Sequence, residues 1–251
     1  MKYILILIML IPHVTWAAGR TRSRKSTSSF SGSSFGGDSL FRIQGSYGVA
    51  IVDPVDLANY RKQFLWNNTT AADGILDRLP QTDFGIGVRI GPGHLMVHYF
   101  TARQDLKNTD IGATGVSVKD SFNYAATYLF YDVPFVFGDF LLTTGLGIGK
   151  ANKFEYHETL TGGNAEDITW SDAPMGYRAR ASLGYLYSNT FGIFLELGYE
   201  MMKSTLTATS DYQSTINAVP IRSGQKLIGR SGAVEADLSG ARLAAGLMLM
   251  F

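Results

Sequence analysis

The chain contains no cysteine, which excludes disulfide staples, thiol chemistry and Cys-based metal sites. It also lacks a charge of one sign. Lys and Arg number 22 against 21 Asp and Glu, and the resulting formal net charge of +1 supplies no field for nucleic acid. After the first few residues no apolar run approaches the roughly 20 residues that a spanning helix needs, so any crossing of a membrane falls to strands. With only 4 histidines, imidazole chemistry has few places to occur. What is abundant is glycine (28), phenylalanine (15) and tyrosine (13), a mixture that suits close-packed β-structure better than a helical bundle.

The opening "MKYILILIMLIPHVTWAAGR" has a basic start at Lys2, an apolar stretch from Ile4 to Ile11, and small residues around Ala17. This is the pattern of a secretory signal peptide over residues 1–17. Residues 18–39 are rich in Ser, Gly and basic side chains and cannot bury a core, so they read as a flexible arm. Arg20, Arg22, Arg24 and Lys25 suit either contact with anionic lipid or cell wall, or a plain solvated tail. The remaining residues, 40–251, form one domain.

Within that domain "TTGLGIGK" (143–150) imitates a phosphate-binding loop. A P-loop, however, needs Ser or Thr after its lysine, and Ala151 follows Lys150. Gly145, Gly147 and Gly149 fall at every second residue, which is the period of a strand face. Similar alternation appears near 41–51, 82–91, 94–103, 121–131, 176–187, 191–201 and 240–251, making eight strands. The connections alternate between short turns ("GPG", "DVPFVFGD", "YSNT") and long loops (about 53–80, 104–119, 151–174 and 203–236). The expected fold is therefore an all-β, eight-stranded antiparallel up-and-down transmembrane β-barrel, with both ends of the domain at the short-turn end.

An eight-stranded barrel is just wide enough for side chains to fill it, and the Phe-, Tyr-, Leu- and Ile-rich face is too bulky to be the inner one. The glycine-bearing face must line the lumen. The aromatics are expected in two outer belts. Phe41, Phe130, Phe140, Tyr185, Tyr187, Phe191 and Phe251 fall at the short-turn end, and Tyr99, Phe122, Tyr177 and Tyr199 toward the other.

On these features the chain resembles the small eight-stranded outer-membrane barrels of the OmpA and OmpX type over residues 40–251. The resemblance implies an integral protein of a Gram-negative outer membrane, exported through the periplasm, with lipid as its surroundings and the long loops outside. It also implies that the terminal Phe251 is the assembly signal read by the barrel-insertion machinery. No peptidoglycan-binding domain is expected after the last strand, so the resemblance does not extend to a wall-anchoring role.

Arg178, Arg180, Glu196, Glu200 and Arg242 fall on the lumen face of three consecutive strands. The tight turn near Ser188-Asn189 makes 178 and 180 near neighbours of 200 and 196, Arg242 should reach the height of Glu200, and burial demands that they pair. A charge-plugged lumen anchoring surface loops is one reading, with adhesion-like or structural roles and an unknown surface ligand. The other is a narrow passive pore for ions or small solutes, in which Arg42 and Arg89, without an evident acidic partner near the periplasmic end, set an anion preference.

In the first long loop Leu57, Tyr60 and Phe64 recur at helical spacing and, with Trp66, offer a contact patch for a partner or pack on the barrel itself. No catalytic residue is assigned, since no G-x-S-x-G occurs and Asp105, Asp120, Asp172 and His157 read as solvated rim residues. His94 and His98 share a face about 13 Å apart at ~3.3 Å per residue, too far to share a metal. No cofactor and no nucleic acid are expected, and a monomer is the expected state.

Overall fold

Eight long strands follow from the eight alternating segments, as seen in the computed structural model, which describes residues 39–64, 77–105, 109–111, 116–161, 166–188, 190–213, 220–229 and 232–251. They are β1 (Phe41–Val52), β2 (Arg78–Ile90), β3 (Gly93–Asp105), β4 (Val116–Phe137), β5 (Phe140–Thr161), β6 (Met175–Leu186), β7 (Phe191–Thr205) and β8 (Gly240–Met250). Each pairs antiparallel with its sequence neighbour. The first and last also pair, from Arg42 opposite Met250 to Val52 opposite Gly240, which closes the ring. Closure satisfies every stave's backbone and removes the sheet edge. The expected eight-stranded up-and-down barrel is the one observed.

Two of the turns are two residues long, Gly91-Pro92 between β2 and β3 and Gly138-Asp139 between β4 and β5. Gly91 (φ 62°) and Gly138 (φ 61°) adopt the left-handed backbone conformation that such turns require. Both chain ends of the domain meet at this rim. The Phe251 carbonyl accepts hydrogen bonds from the Leu40 and Phe41 amides at 2.6 and 3.0 Å.

Alternation sets the two faces. Outward positions on β7 are Phe191, Ile193, Leu195, Leu197, Tyr199 and Met201, and on β8 Leu243, Leu247 and Leu249, all exposed. Among the described residues no Asp, Glu, Lys or Arg occupies an outward position from 41 to 51, 82 to 90, 95 to 101, 127 to 137, 140 to 148, 175 to 187, 191 to 201 or 241 to 251. Ten or so residues per tilted strand make this uncharged band about 25 Å tall. Lys150 and Lys203 are the next outward residues on their strands.

The strands do not stop at the band. β4 and β5 continue for 22 residues each, and the register slips once, Ala126 facing Ala151 but Ala125 facing Lys153. The extra residue is Asn152, whose amide donates to Thr127 Oγ1 at 2.6 Å. This β-bulge reverses the faces of β5. Before it Gly149 and Ala151 point inward, and after it Phe154, Tyr156 and Glu158 do. At the loop end the hairpin is widened by strand 166–171 along β5 and by 109–111 along β4.

Helix α1 (Val55–Phe64) packs over this end. Leu57, Tyr60, Phe122, Phe154, Trp170 and Leu206 are buried in one continuous cluster that runs down to Phe100 and Phe130. Even the last long loop joins it, through Leu206, Ala208 and Leu227. Residues 1–38, which hold the expected leader and nearly all of the basic arm, lie outside the described residues.

Candidate functional site

The glycines of "TTGLGIGK" answer for the shape of the lumen. Gly147 faces Phe130 across the β4–β5 ladder and Gly149 faces Tyr128. A Cβ on Gly147 would stand 2.7 Å from the Phe130 ring, and one on Gly149 2.5 Å from that of Tyr128. The lumen is therefore not lined by small residues alone. Bare backbone on β5 leaves room for a column of aromatics on β3 and β4, in which Phe100, Tyr128 and Phe130 are fully buried. Phe130 and Phe122, expected in the outer belts, face inward instead. The even-numbered residues of β4 share the lumen face with Asp132, and parity decides the matter whatever their height along the barrel.

The charges gather around this column. Arg178 lies directly opposite Glu200 on β7 and bonds its Oε2 at 2.5 Å. Its guanidinium also stacks 3.9 Å above the Phe100 ring and reaches Gln81 at 3.2 Å. Glu200 Oε1 accepts from Tyr124 at 2.6 Å and from Tyr128 as well. Arg180 grips Asp132 with two bonds, 2.5 and 3.2 Å, contacts Glu196 at 3.4 Å and stacks on Phe130 at 4.2 Å. Arg242 bonds Glu196 at 2.6 Å and Ser46 at 3.1 Å, so its carboxylate is Glu196 and not the Glu200 expected at its height. Planar guanidiniums suit such paired and stacked sites.

His98 lies between Asp83 and Arg180, with Nδ1 2.8 Å from Asp83 and Nε2 2.8 Å from the Arg180 guanidinium. An arginine only donates, so Nε2 must accept and Nδ1 carries the proton toward Asp83.

Arg42 is buried and does have an acidic neighbour, Asp132 at 3.8 Å, together with Thr143 at 3.3 Å. Arg89 is only half-buried at the short-turn rim, near the Gly91 carbonyl. Sequence reading missed Asp83, Asp132 and His98 as members of the network. Asp132 falls in the expected turn and Asp83 near an expected strand end, yet both have the parity of the lumen face. With them this network counts, among the described residues, four buried arginines (42, 178, 180, 242) and four buried carboxylates (83, 132, 196, 200), and within it the formal charge cancels.

This is a closed eight-stranded barrel with an uncharged apolar outer band and an inner face that carries paired charges and buried aromatics. The chain has the architecture of the small outer-membrane barrels. Solved structures with a similar fold include the outer membrane protein OprG from Pseudomonas aeruginosa, at 10% identity and TM-score 0.45 over 85% of this chain and 96% of that one. Neisserial surface protein A matches at 11% identity and TM-score 0.43, over 84% and 97%. The outer membrane protease OmpT from Escherichia coli matches at 11% and 0.43, over 87% and 98%. No protein-family model matches the chain, and no curated protein matches it.

The loop-end candidates do not converge. Leu57 and Tyr60 are buried against the chain's own barrel, so they are not on an exposed patch. The Phe64 side chain and Trp66 lie outside the described residues. Asp105 bonds Arg103 and Asp172 bonds Ser204, while Asp120, expected to be solvated, is buried and bonds Tyr156. His157 lies between Thr169 at 2.9 Å and Glu155 at 3.0 Å, the order of a nucleophile, base and acid. However, the Thr169 amide is spent on the Tyr212 hydroxyl at 2.9 Å. His157 and Thr169 are direct cross-strand partners, and the set reads as a polar ladder on a sheet surface. Among the described residues no group of three His, Cys, Asp or Glu can hold a metal.

Proposed function

We propose that the protein is an integral outer-membrane barrel whose lumen is plugged by its own charges, and that it serves as a non-enzymatic anchor for the structured loop end. The single observation that carries this reading is the combination of faces. Exposed Leu195, Leu197, Leu243 and Leu247 sit on the outside of the same staves that bury Glu196, Glu200 and Arg242. A water-soluble barrel would reverse that arrangement, because a continuous apolar band around a whole molecule far exceeds the few hundred Å² tolerated by soluble monomers. The partners that follow are outer-membrane lipid around the band, the barrel-insertion machinery reading Phe251 during assembly, and a surface ligand met at the loop end by a monomer.

The pore reading is weakened, since the buried Arg42 is next to Asp132 and the aromatic column stacks against Arg178 and Arg180. The test is single-channel conductance of the refolded protein in a planar bilayer. Steady closed traces are expected, and reproducible openings with anion preference would overturn the plug.

A further inference from the structure

Outside the barrel proper, β4 and β5 place two carboxylates face to face. Asp120 and Glu158 are direct cross-strand partners in the antiparallel ladder, and both are buried. Like charges directly opposite each other destabilise a sheet even at its surface. Here water is excluded, and among the described residues no cation lies within ion-pair reach of Glu158. Its hydrogen bonds come from neutral groups on two separate elements, the Trp170 indole at 2.9 Å and the Tyr60 hydroxyl of α1 at 3.2 Å. Tyr156 donates to Asp120 at 2.8 Å and meets the Tyr60 ring edge-on.

Those groups surround Glu158 from each packed element: Tyr60 from α1, Asp120 from β4, Tyr156 from β5 and Trp170 from strand 166–171. The other acids near α1, Glu235 and Asp237, are tied to Lys203 at 3.1 and 3.0 Å. A buried carboxylate facing another is harder to ionise. Burial, with help from the Asp120 charge and against the indole and phenol hydrogen bonds, pushes the Glu158 acid up to about 7.

We infer that Glu158 is a proton-dependent latch for the cap, holding α1 down over the loop end of the barrel while it is protonated and releasing it when it ionises. An ionised Glu158 faces Asp120 in a dry site, and the cheapest relief is to let water in. The neighbour that can leave without breaking a barrel stave is α1, joined to Glu158 through Tyr60. Release would expose Leu57 and Tyr60, which are buried in the closed cap.

The natural absence of cysteine makes the test direct. A single N59C substitution at an exposed position of α1 carries a nitroxide label, and its mobility is followed from pH 5 to 9 in the full refolded chain. Heat-modified gel migration at each pH checks that the barrel stays folded. Label mobility should rise with a midpoint near 7. The transition should vanish in Glu158→Gln, which keeps both acceptor bonds without a charge, and move to lower pH in Asp120→Asn. A wild-type chain with no transition, or a transition that persists in Glu158→Gln, overturns the latch. Should Glu158→Gln fail to fold, an unmoved midpoint in Asp120→Asn overturns it equally.

Discussion

Glu200→Ala tests the plug most severely, because three partners converge on one carboxylate. The substitution removes the charge that compensates Arg178 at 2.5 Å and strips the Tyr124 and Tyr128 hydroxyls of their acceptor. Breaking a buried ion pair by deleting one partner costs about 3–5 kcal/mol, and each orphaned hydroxyl adds roughly 1–3 kcal/mol. Arg178 has little to fall back on, since among the described residues its Nε and one terminal nitrogen have no hydrogen-bond partner and Gln81 and the Phe100 ring are what remain. Water entering the vacated volume offsets part of the loss, so a net destabilisation of about 4 kcal/mol is expected. Denaturant unfolding of the refolded barrel in lipid vesicles, followed by heat-modified gel migration, measures it. The double variant Arg178→Met with Glu200→Met should recover the ion-pair part of the loss, because a buried pair is roughly matched by apolar groups of similar volume, while the Tyr124 and Tyr128 hydroxyls stay without their acceptor. A loss below about 1 kcal/mol for the single variant would refute the reasoning, as would a double variant no better than the single.

Gly147→Ala puts a methyl 2.7 Å from the Phe130 ring and should cost about 1–3 kcal/mol by overpacking, with relief on adding Phe130→Leu; the same unfolding assay checks both. Leu197 is 65% exposed on the outer band, and Leu197→Arg should cost about 2–4 kcal/mol in vesicles. A near-zero cost there would mean that this face sees water. The cap should be pH-sensitive. Because the folded Glu158 acid sits near 7 against an ordinary 4.5, cap stability is full below about 4.5 and falls as pH rises to about 7. The loss is about 3 kcal/mol over that window. Amide hydrogen exchange in 55–64, corrected for intrinsic rates, should show it, and Glu158→Gln should flatten the profile.

The barrel was legible because alternation is written into every stave. The run from Phe191 to Met201 separates its faces without an error, and the short turns fix the order of the strands. Arg178 and Glu200 were legible as partners, since a tight turn between β6 and β7 leaves one register. Asp132 was not, because its strand runs on to Phe137 and "DVPFVFGD" resembles a loop in composition. Nor was the inward turn of Glu158. Counting by twos along β5 from Gly149 would send Glu155 and His157 inward, and only the bulge at Asn152 exchanges them for Tyr156 and Glu158. A bulge depends on the partner strand, so β5 alone does not announce it. The cap was hidden for a related reason. Leu57 and Tyr60 have helical spacing, but what they pack against arrives from β4, β5 and the last loop.

The balance of four arginines against four carboxylates also bears on how this interior can change over generations. A single substitution that adds or removes a charge leaves an uncompensated ion in a dry space, which costs several kcal/mol. Exchanges made in pairs, such as Arg178 together with Glu200, keep the sum at zero and meet no such barrier. Relatives of this chain should therefore differ inside the barrel by correlated double changes, while the outer band drifts freely among Leu, Ile, Val and Phe. A lumen tolerant of single charge changes would mean that water already moves through it.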